Sequence, residues 1–270
     1  MSNEVAIKEE GALAIVPSVE DAGVGFEGMG AEDFALPYIK LIQQLSPELN
    51  PQAEEYNPLA RPGLFVNSAT QRIYGEAIDV VVAAYARKFN VWRPKALGGG
   101  LVTSQPALPA GVQTRKDFNG RERLVIGDNT VEETFYYYLL VGPAADQPIE
   151  TDEGTDVPQP GENITDRGVY SFKGTGIQVA KKFNMTMDAQ KFRVDGKLLT
   201  KAIFSNVYRF RTNMRSNAQG SWFAVLIQRQ FELSPASDLY QAAKSFGRVA
   251  LRSRVRGEEP EATETQKTTF

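Results

Sequence analysis

The sequence predicts a mainly β (α+β) fold, an antiparallel sheet of six or so strands with two or three helices. Residues 76–95 and 134–141 are rich in β-branched and aromatic residues, which favour strands. Clusters of Gly, Pro, Asn and Ser separate these runs from shorter ones of the same kind. The 270 residues, of which 42% are hydrophobic, suffice for one sizeable core or at most two small ones.

The first quarter of the chain is predicted to contain a mobile arm, a short helix and a hairpin. Residues 1–31 are acidic, rich in Gly and Ala, and show no lasting period, which is typical of a mobile arm. The apolar cluster within 33–49 indicates an extended segment followed by a short helix. Two β-type runs, 63–67 and 73–75, flank a short polar stretch and predict a hairpin.

The middle of the chain is predicted to supply the central strands and one long loop. The strand over 76–95 ends at three consecutive glycines, and 124–126 form another strand that ends in a turn. The clearest buried strand is 134–141, where the consecutive tyrosines 136–138 alternate, so that one opposes the others. Residues 143–166 hold seven acidic and no basic residues among several prolines and glycines, which indicates a long exposed acidic loop.

A helix and two paired strands are predicted next. Residues 177–192 have helical character, with two lysines near the middle. Residues 202–214 and 221–233 form two strand patterns around a turn at 215–220.

A second helix is predicted to begin at Ser234, a cap candidate, with Pro235 at the first helical position. Its apolar face is expected to consist of Leu239, Ala242, Ala243, Phe246, Val249 and Ala250. We interpret residues 32–256 as a single β-rich domain and 257–270 as an acidic C-terminal tail.

The composition excludes several classes of chemistry. The chain has no cysteine and no histidine, so it has no disulfide, thiolate nucleophile, Cys- or His-based metal site or imidazole base. No carboxylate pair sits on a predicted strand beside a lysine, so we expect no catalytic residues, no metal and no cofactor. There is no signal peptide pattern and no apolar stretch of the roughly 20 residues that span a bilayer. A soluble, non-enzymatic binding protein is favoured.

The charge is strongly segregated along the chain, although the net charge is only −3. Residues 1–55 have a net charge of −9, 56–166 of −4, and 257–270 of −3. Between them, 167–256 contain seventeen Lys/Arg and four Asp/Glu, a net charge of +13. Such segregation indicates a polyanion-binding surface with acidic arms, although charge runs also occur as simple solvated faces.

The strongest candidate for nucleic-acid binding is the end of the long strand. Single strands are bound by stacking of bases on aromatic rings and by neutralisation of phosphates with Arg and Lys. Alternation predicts one mixed face formed by Tyr85, Arg87, Phe89, Val91, Arg93 and Lys95. The other face carries Lys88 and Trp92. The alternative is a core strand whose charged end emerges at a sheet edge.

A second candidate is the strand that contains Tyr208, Phe210 and Met214, which are expected to pack inward. The opposite face would then present a row of phosphate-binding arginines, Arg209, Arg211 and Arg215. Further cations that could extend this groove are Lys181, Lys182, Lys244, Arg248 and Arg252, although each alone is more often a solvated side chain. Lys173 is a further candidate for nucleic-acid binding. The Lys173-Gly-Thr-Gly-Ile segment is similar to a phosphate-binding loop, but it lacks the Walker spacing, so nucleotide hydrolysis is not expected.

The C-terminal tail combines acidic residues with a terminal aromatic residue: Glu258, Glu259, Glu261, Glu264 and Phe270. It resembles the acidic tip, ending in Phe, of bacterial and phage single-stranded DNA-binding proteins. That resemblance implies that the tail recruits replication or recombination proteins and competes with DNA for the basic groove.

Three segments, Ala35–Leu49, Pro62–Thr70 and Tyr74–Ile78, look like the opening of phage-encoded proteins suspected of binding single-stranded DNA. The resemblance implies an oligonucleotide/oligosaccharide-binding (OB) type of barrel, a role in phage DNA replication or recombination, and a location in the cytoplasm of the infected host cell. OB barrels bind strands across one face between flanking loops.

The sequence therefore leads to one main hypothesis and two alternatives. The main hypothesis is a non-catalytic single-stranded DNA-binding protein that does not contact membranes. A homo-oligomer is one option for its assembly. The first alternative is a virion structural or decoration protein, for which a β-rich fold with mobile arms is equally suitable. The second is a metal-dependent nuclease or recombination enzyme.

Overall fold

A computed structural model describes residues 36–117, 120–145, 149–151, 154–156, 161–217 and 220–252. These residues are mainly β, and their named strands pair antiparallel, which confirms the predicted fold class. The strands are β1 Ile39–Leu41, β2 Phe65–Asn67, β3 Ile73–Gly75, β4 Ala77–Trp92, β5 Leu101–Gln105, β6 Gln113–Lys116, β7 Glu122–Ile126, β8 Asn129–Pro143, β9 Ile149–Thr151, β10 Gly154–Asp156, β11 Asp166–Lys173, β12 Lys191–Val194, β13 Lys197–Thr200, β14 Asn206–Asn217 and β15 Gly220–Glu232. The described α-helices are α1 Gly176–Asp188 and α2 Asp238–Arg252.

The centre of the fold is the long antiparallel pair β4–β8, which runs from Ile78↔Pro143 to Trp92↔Thr130. At the end that contains Ile78, β14 pairs with the outer edge of β4 and β11 with the outer edge of β8. At the end that contains Trp92, β5 pairs with β4, while β7 and then β6 continue beyond β8. We call this second end, with β5, β6 and β7, the distal arm.

The barrel that the resemblance implied is not formed by the described strands, which make open sheets. The physical reason is that the two ends of the long β4–β8 pair have different neighbouring strands. The neighbours at one end therefore do not meet those at the other. The strands β15 and β6 each pair with a single described neighbour and remain edges. Closing a barrel would require these edges to meet.

The central sheet is buried on both faces. On one face, α1 places Ala180, Phe183 and Met187 against the aromatic rings of Tyr137 and Phe210. The three-stranded sheet β1–β2–β3 adds further side chains to the same core. On the opposite face, α2 packs against β4 and β8. Burying a large apolar side chain contributes roughly 1.5–3 kcal/mol, so these two layers supply most of the hydrophobic stabilisation.

The three consecutive tyrosines of β8 divide between these faces, as alternation predicts. Tyr137 belongs to the core under α1, whereas Tyr136 and Tyr138 belong to the core under α2. All three are buried.

The predicted hairpin is present as β2 and β3, but the short helix expected within 33–49 is replaced by β1. Strand β1 pairs with β2 and thereby buries Ile39. The gain from this tertiary pairing outweighs the local preference, which is weak for a segment this short. Only a 3₁₀ turn, Pro47–Leu49, follows.

The second helix begins later than the sequence predicts. Ser234 and Pro235 belong to a preceding turn, in which the Ser237 amide donates to the Ser234 carbonyl over 2.9 Å. The cap of α2 is instead Ser237, whose Oγ accepts a hydrogen bond from the Tyr240 amide over 3.3 Å. The predicted apolar face is also too wide, because Ala242 and Val249 are exposed. The buried positions are Ala243, Phe246, Gly247 and Ala250.

Three further boundaries differ from the sequence predictions. The segment 143–166 contains the hairpin β9–β10, and Ala144 and Ile164 are buried, so it is not a wholly exposed loop. Strands β14 and β15 pair as far as Asn217↔Gly220, which leaves a two-residue connection instead of a six-residue turn. Helix α1 ends at Asp188, because β12 begins three residues later. No helix in the described part of the chain is long and apolar enough to cross a membrane.

Candidate nucleic-acid interface

Two adjoining grooves lie where the start of α1 meets the edge strand β15. The first, which we call the β1 groove, has a volume of about 360 Å³ and lies between β1, the end of β11 and the first half of β15. The second, which we call the α1 groove, has a volume of about 270 Å³ and lies between α1 and the middle of β15. Thr175, Val179, Arg215 and Val225 line both grooves, so the two are continuous.

The start of α1 is open toward the β1 groove. Gly174 adopts a left-handed conformation (φ 53°), which lets the chain turn directly from β11 into the helix. Thr175 makes no side-chain cap, and the first turn of α1 contains no acidic residue. The amide groups of a first helical turn carry a partial positive charge, so this end of the groove is favourable for an anion.

Cations are concentrated along these two grooves. Lys40, Lys173 and Arg215 line the β1 groove, and Arg215, Lys182 and Arg229 line the α1 groove. Their accompanying acidic residues are few, because the walls come mainly from the basic block 167–256. The grooves therefore have the charge that a phosphate backbone requires.

The five cations differ in their own interactions. Lys40 pairs with Glu48 at 3.0 Å, and Lys173 lies 3.9 Å from Glu132. Arg229 donates a hydrogen bond to the Gln190 side chain over 2.8 Å. Lys182 and Arg215 make no ion pair with a residue that the structure describes. These two therefore supply the most available charge.

An aromatic side chain accompanies the cations. Trp222 lies directly across from Arg215 in the β14–β15 register, lines the β1 groove and is half-buried. The neighbouring Phe223 is fixed at the sheet edge, because the Gln43 side chain accepts from its amide (2.8 Å) and donates to its carbonyl (3.0 Å). Gln43 thus occupies the β15 edge next to Trp222 as another strand would.

The mixed face predicted on the long strand is mostly a structural core. Phe89 and Val91 are buried with Val131 inside the distal arm, so the Phe89 ring is not available to a base. Arg87 pairs with Glu133 at 2.6 Å and lies 4.9 Å from the Phe89 ring centre. The predicted alternation is correct, but Leu124 and Ile126 of β7, together with Val112, pack against Phe89 and Val91 and cover them.

The remaining residues of this candidate do not form one site. Tyr85 packs against Tyr137, and burial raises its pKa. Arg93 and Lys95 are exposed and lie beyond the end of β4. On the other face, the Lys88 ammonium lies 5.6 Å from the Tyr136 ring centre, and Trp92 is half-buried.

The predicted arginine row is divided by the structure. Tyr208 and Phe210 pack inward as predicted, whereas Met214 is 63% exposed because β14 extends beyond the core at that point. Arg209 does not face phosphate, since it makes two hydrogen bonds of 2.8 and 2.9 Å to the buried carboxylate of Asp79. Arg211 is exposed, and of the three arginines only Arg215 lines the grooves.

The lysines and arginines predicted on the two helices do not lie on one common surface. Lys181 is exposed on α1 beside Lys182. Lys244 and Arg248 belong to α2, which packs on the opposite face of the sheet, so they do not extend the grooves. Arg252 ends α2, and the predicted tail residues Glu258, Glu259, Glu261, Glu264 and Phe270 lie outside the described residues.

The structure thus unites Lys173, Lys182 and Arg215 and adds Lys40, Trp222 and Arg229, which the sequence did not assign to the site. Lys40 joins only because β1 packs beside β11, a contact that sequence periodicity does not reveal. Arg229 lies on the same alternating face as Val225 and Ile227, which the sequence predicts to be apolar, so alternation gave no signal for it. Among the described residues there is no group of three or more Asp, Glu, His or Cys that could hold a metal ion.

The described residues define a mainly β protein with a cation-lined pair of grooves on one face of its central sheet. Comparison with protein families matches residues 8–255 to the family described as Pam3 phage gp34-like protein. The chain belongs to this family and is therefore a phage-associated protein. A search of curated proteins and a search of solved structures each find no match.

Proposed function

We propose that the protein is a non-catalytic single-stranded DNA-binding protein that acts in phage DNA replication or recombination. The observation that supports this function best is the convergence of five cations and a tryptophan on two continuous grooves. Phosphates are neutralised by Lys and Arg, while bases stack on aromatic rings for about 1–3 kcal/mol each. Membership of a phage protein family is consistent with a role in phage DNA replication or recombination.

In this proposal the DNA backbone follows the edge of α1. A phosphate lies at the start of α1, near Lys173 and Arg215, and a base stacks on Trp222. The backbone then continues past Lys182 toward Arg229. A single strand suits this path, because its bases can be turned toward an aromatic ring without breaking base pairs.

The test uses the two tryptophans of the chain, Trp92 in the distal arm and Trp222 at the β1 groove. Oligo-dT is titrated into the Trp92→Phe and Trp222→Phe variants while tryptophan fluorescence is recorded at about 50 mM salt. We expect quenching in Trp92→Phe, which retains Trp222, and little quenching in Trp222→Phe. Binding that quenches only Trp92 would move the site to the distal arm, and no binding by the wild-type chain would refute the function.

A virion structural protein remains the second candidate, and the distal arm favours it. The arm has open edges at β5 and β6 and exposes Leu97, Leu101, Val102 and Leu108. Open strand edges with exposed apolar residues are typical of surfaces that pair with another chain. High copy number in purified phage particles would support this candidate, and absence from particles would contradict it.

A further inference from the structure

The hairpin β12–β13 stands apart from the rest of the sheet. It pairs with no other described strand, and every residue from Lys191 to Thr200 is exposed. Its turn is formed by Asp195 and Gly196, whose φ angles of 47° and 75° are those that a two-residue type I′ turn requires. A two-stranded hairpin is marginally stable by itself, so this exposed one is expected to gain order from a ligand.

The surface of the hairpin is both basic and apolar. Phe192, Val194 and Leu199 share one face, with exposed fractions of 41%, 44% and 44%. Lys197 lies on this face beside Val194, and Arg193 lies on the other. The segment 191–201 contains four Lys/Arg and one acidic residue, so its charge is complementary to a polyanion.

The hairpin is continuous with the α1 groove through Gln190. The Gln190 side chain accepts the hydrogen bond from Arg229 and donates to the Thr186 carbonyl over 3.1 Å. Its backbone carbonyl accepts from the Lys201 amide over 2.8 Å, which fixes the base of the hairpin. Thr186 and Arg229 line the α1 groove, so the groove ends where the hairpin begins.

We infer that the β12–β13 hairpin is a second contact for the same single-stranded DNA, at the Arg229 end of the α1 groove. Phe192 offers a ring on which a base stacks, with Val194 and Leu199 beside it, while Lys197 on the same face holds a flanking phosphate. Arg193 adds positive charge from the other face of the hairpin. Four residues of strand span about 13 Å, which is long enough for roughly two to four nucleotides. This inference rests on the proposed function and adds length to the site.

The inference predicts that the hairpin matters for long oligonucleotides and not for short ones. Binding of oligo-dT from about 8 to about 30 nucleotides is measured by fluorescence anisotropy for the wild type, Phe192→Ala and the double variant Arg193→Gln/Lys197→Gln. The matched control is Arg115→Gln/Lys116→Gln, which removes two exposed cations from β6 in the distal arm. All changed side chains are exposed, and circular dichroism verifies that each variant is folded.

We expect Phe192→Ala to weaken binding of the long oligonucleotides about fivefold or more, as the loss of one stacked base requires. The double variant should weaken it about tenfold or more, whereas the shortest oligonucleotide that still binds and the control variant should change less than about twofold. Equal affinities of the hairpin variants and the wild type at every length would overturn the inference. They would not affect the proposal that DNA binds in the two grooves. If the wild-type protein binds oligo-dT of no length, both the proposed function and the inference about the hairpin are overturned.

One competing explanation has its own readout. If the apolar face is instead covered by a second copy of the chain, Phe192→Ala will lower the oligomeric mass measured by light scattering without changing DNA affinity. That result would also overturn the inference. An unchanged mass with weakened binding of long oligonucleotides supports it.

Discussion

The ion pair of Arg209 with Asp79 provides a sharp prediction, because the sequence suggests that this arginine binds phosphate while the structure places it in the core. The side chains of Arg209 and Asp79 are only 12% and 3% exposed. Asp79 also accepts a hydrogen bond from the Ala145 amide over 3.0 Å, so its carboxylate is fixed on two sides. Removing one partner of a buried pair leaves an uncompensated charge and costs about 3–5 kcal/mol.

We therefore expect Arg209→Gln to reduce the free energy of unfolding by about 3–5 kcal/mol. For a domain of this size, 1 kcal/mol shifts the melting temperature by about 2–4 °C, so the expected loss is about 6–20 °C. The double variant Asp79→Asn/Arg209→Gln should recover part of this loss, because no charge is then left unpaired. The exposed Arg248→Gln on α2 is the matched control and should melt like the wild type.

The assay combines thermal melting with DNA binding well below the melting temperature. The folded Arg209→Gln variant should bind oligo-dT with an affinity within about twofold of the wild type, because its guanidinium is engaged by Asp79. A variant that melts like the wild type but binds DNA tenfold more weakly would refute this reasoning. That result would indicate that Arg209 binds a phosphate, as the sequence predicts.

Three further predictions concern the core of the distal arm, the charge of the C-terminal sequence and the buried tyrosines. Phe89→Ala should cost about 3–5 kcal/mol of stability in denaturant unfolding, with unchanged DNA affinity, since Phe89 is a core residue of the distal arm. Deleting residues 258–270, which hold four glutamates and one lysine, should raise the affinity for DNA in a binding titration, and unchanged affinity would remove tail competition. Burial raises the pKa of Tyr74, Tyr137 and Tyr170. Because the folded-state pKa is the higher one, the stability from these neutral phenols is complete below about pH 10 and is lost as the pH rises further. An ultraviolet titration should show their ionisation only together with unfolding.

Much of the fold could be predicted from the sequence, because its strands are long and strongly patterned. β4 and β8 follow their β-branched and aromatic runs, and α1 follows its helical pattern. The short elements were less predictable. β1 exists because it pairs with β2, and the preference of so short a segment is decided by that partner. The open shape of the sheet also depends on which strands become neighbours, which alternation does not encode.

The sequence predicts the chemistry of the candidate site, a set of cations with an aromatic ring, but not which residues come together to form it. The basic block 167–256 supplies most of the groove cations, as the charge distribution indicated. Alternation placed Phe89 on a mixed face correctly, but could not show that the distal arm covers that face. The sequence predicts an exposed Arg209, whereas the structure pairs it with Asp79, which lies 130 residues away in the sequence. Ion pairs between such distant residues leave no periodic signal.

The most direct test of the central claim is the salt dependence of single-stranded DNA binding by the wild type and by Lys182→Gln/Arg215→Gln. Each phosphate contact on a single strand contributes about 0.7 to the slope of log affinity against log salt. The five groove cations therefore predict a slope of up to about −3.5, and the double variant should reduce its magnitude by about 1.4. Duplex DNA should bind more weakly at every salt concentration. A wild-type affinity that is independent of salt, or a double variant with the wild-type slope, would contradict the assignment of DNA binding to these grooves.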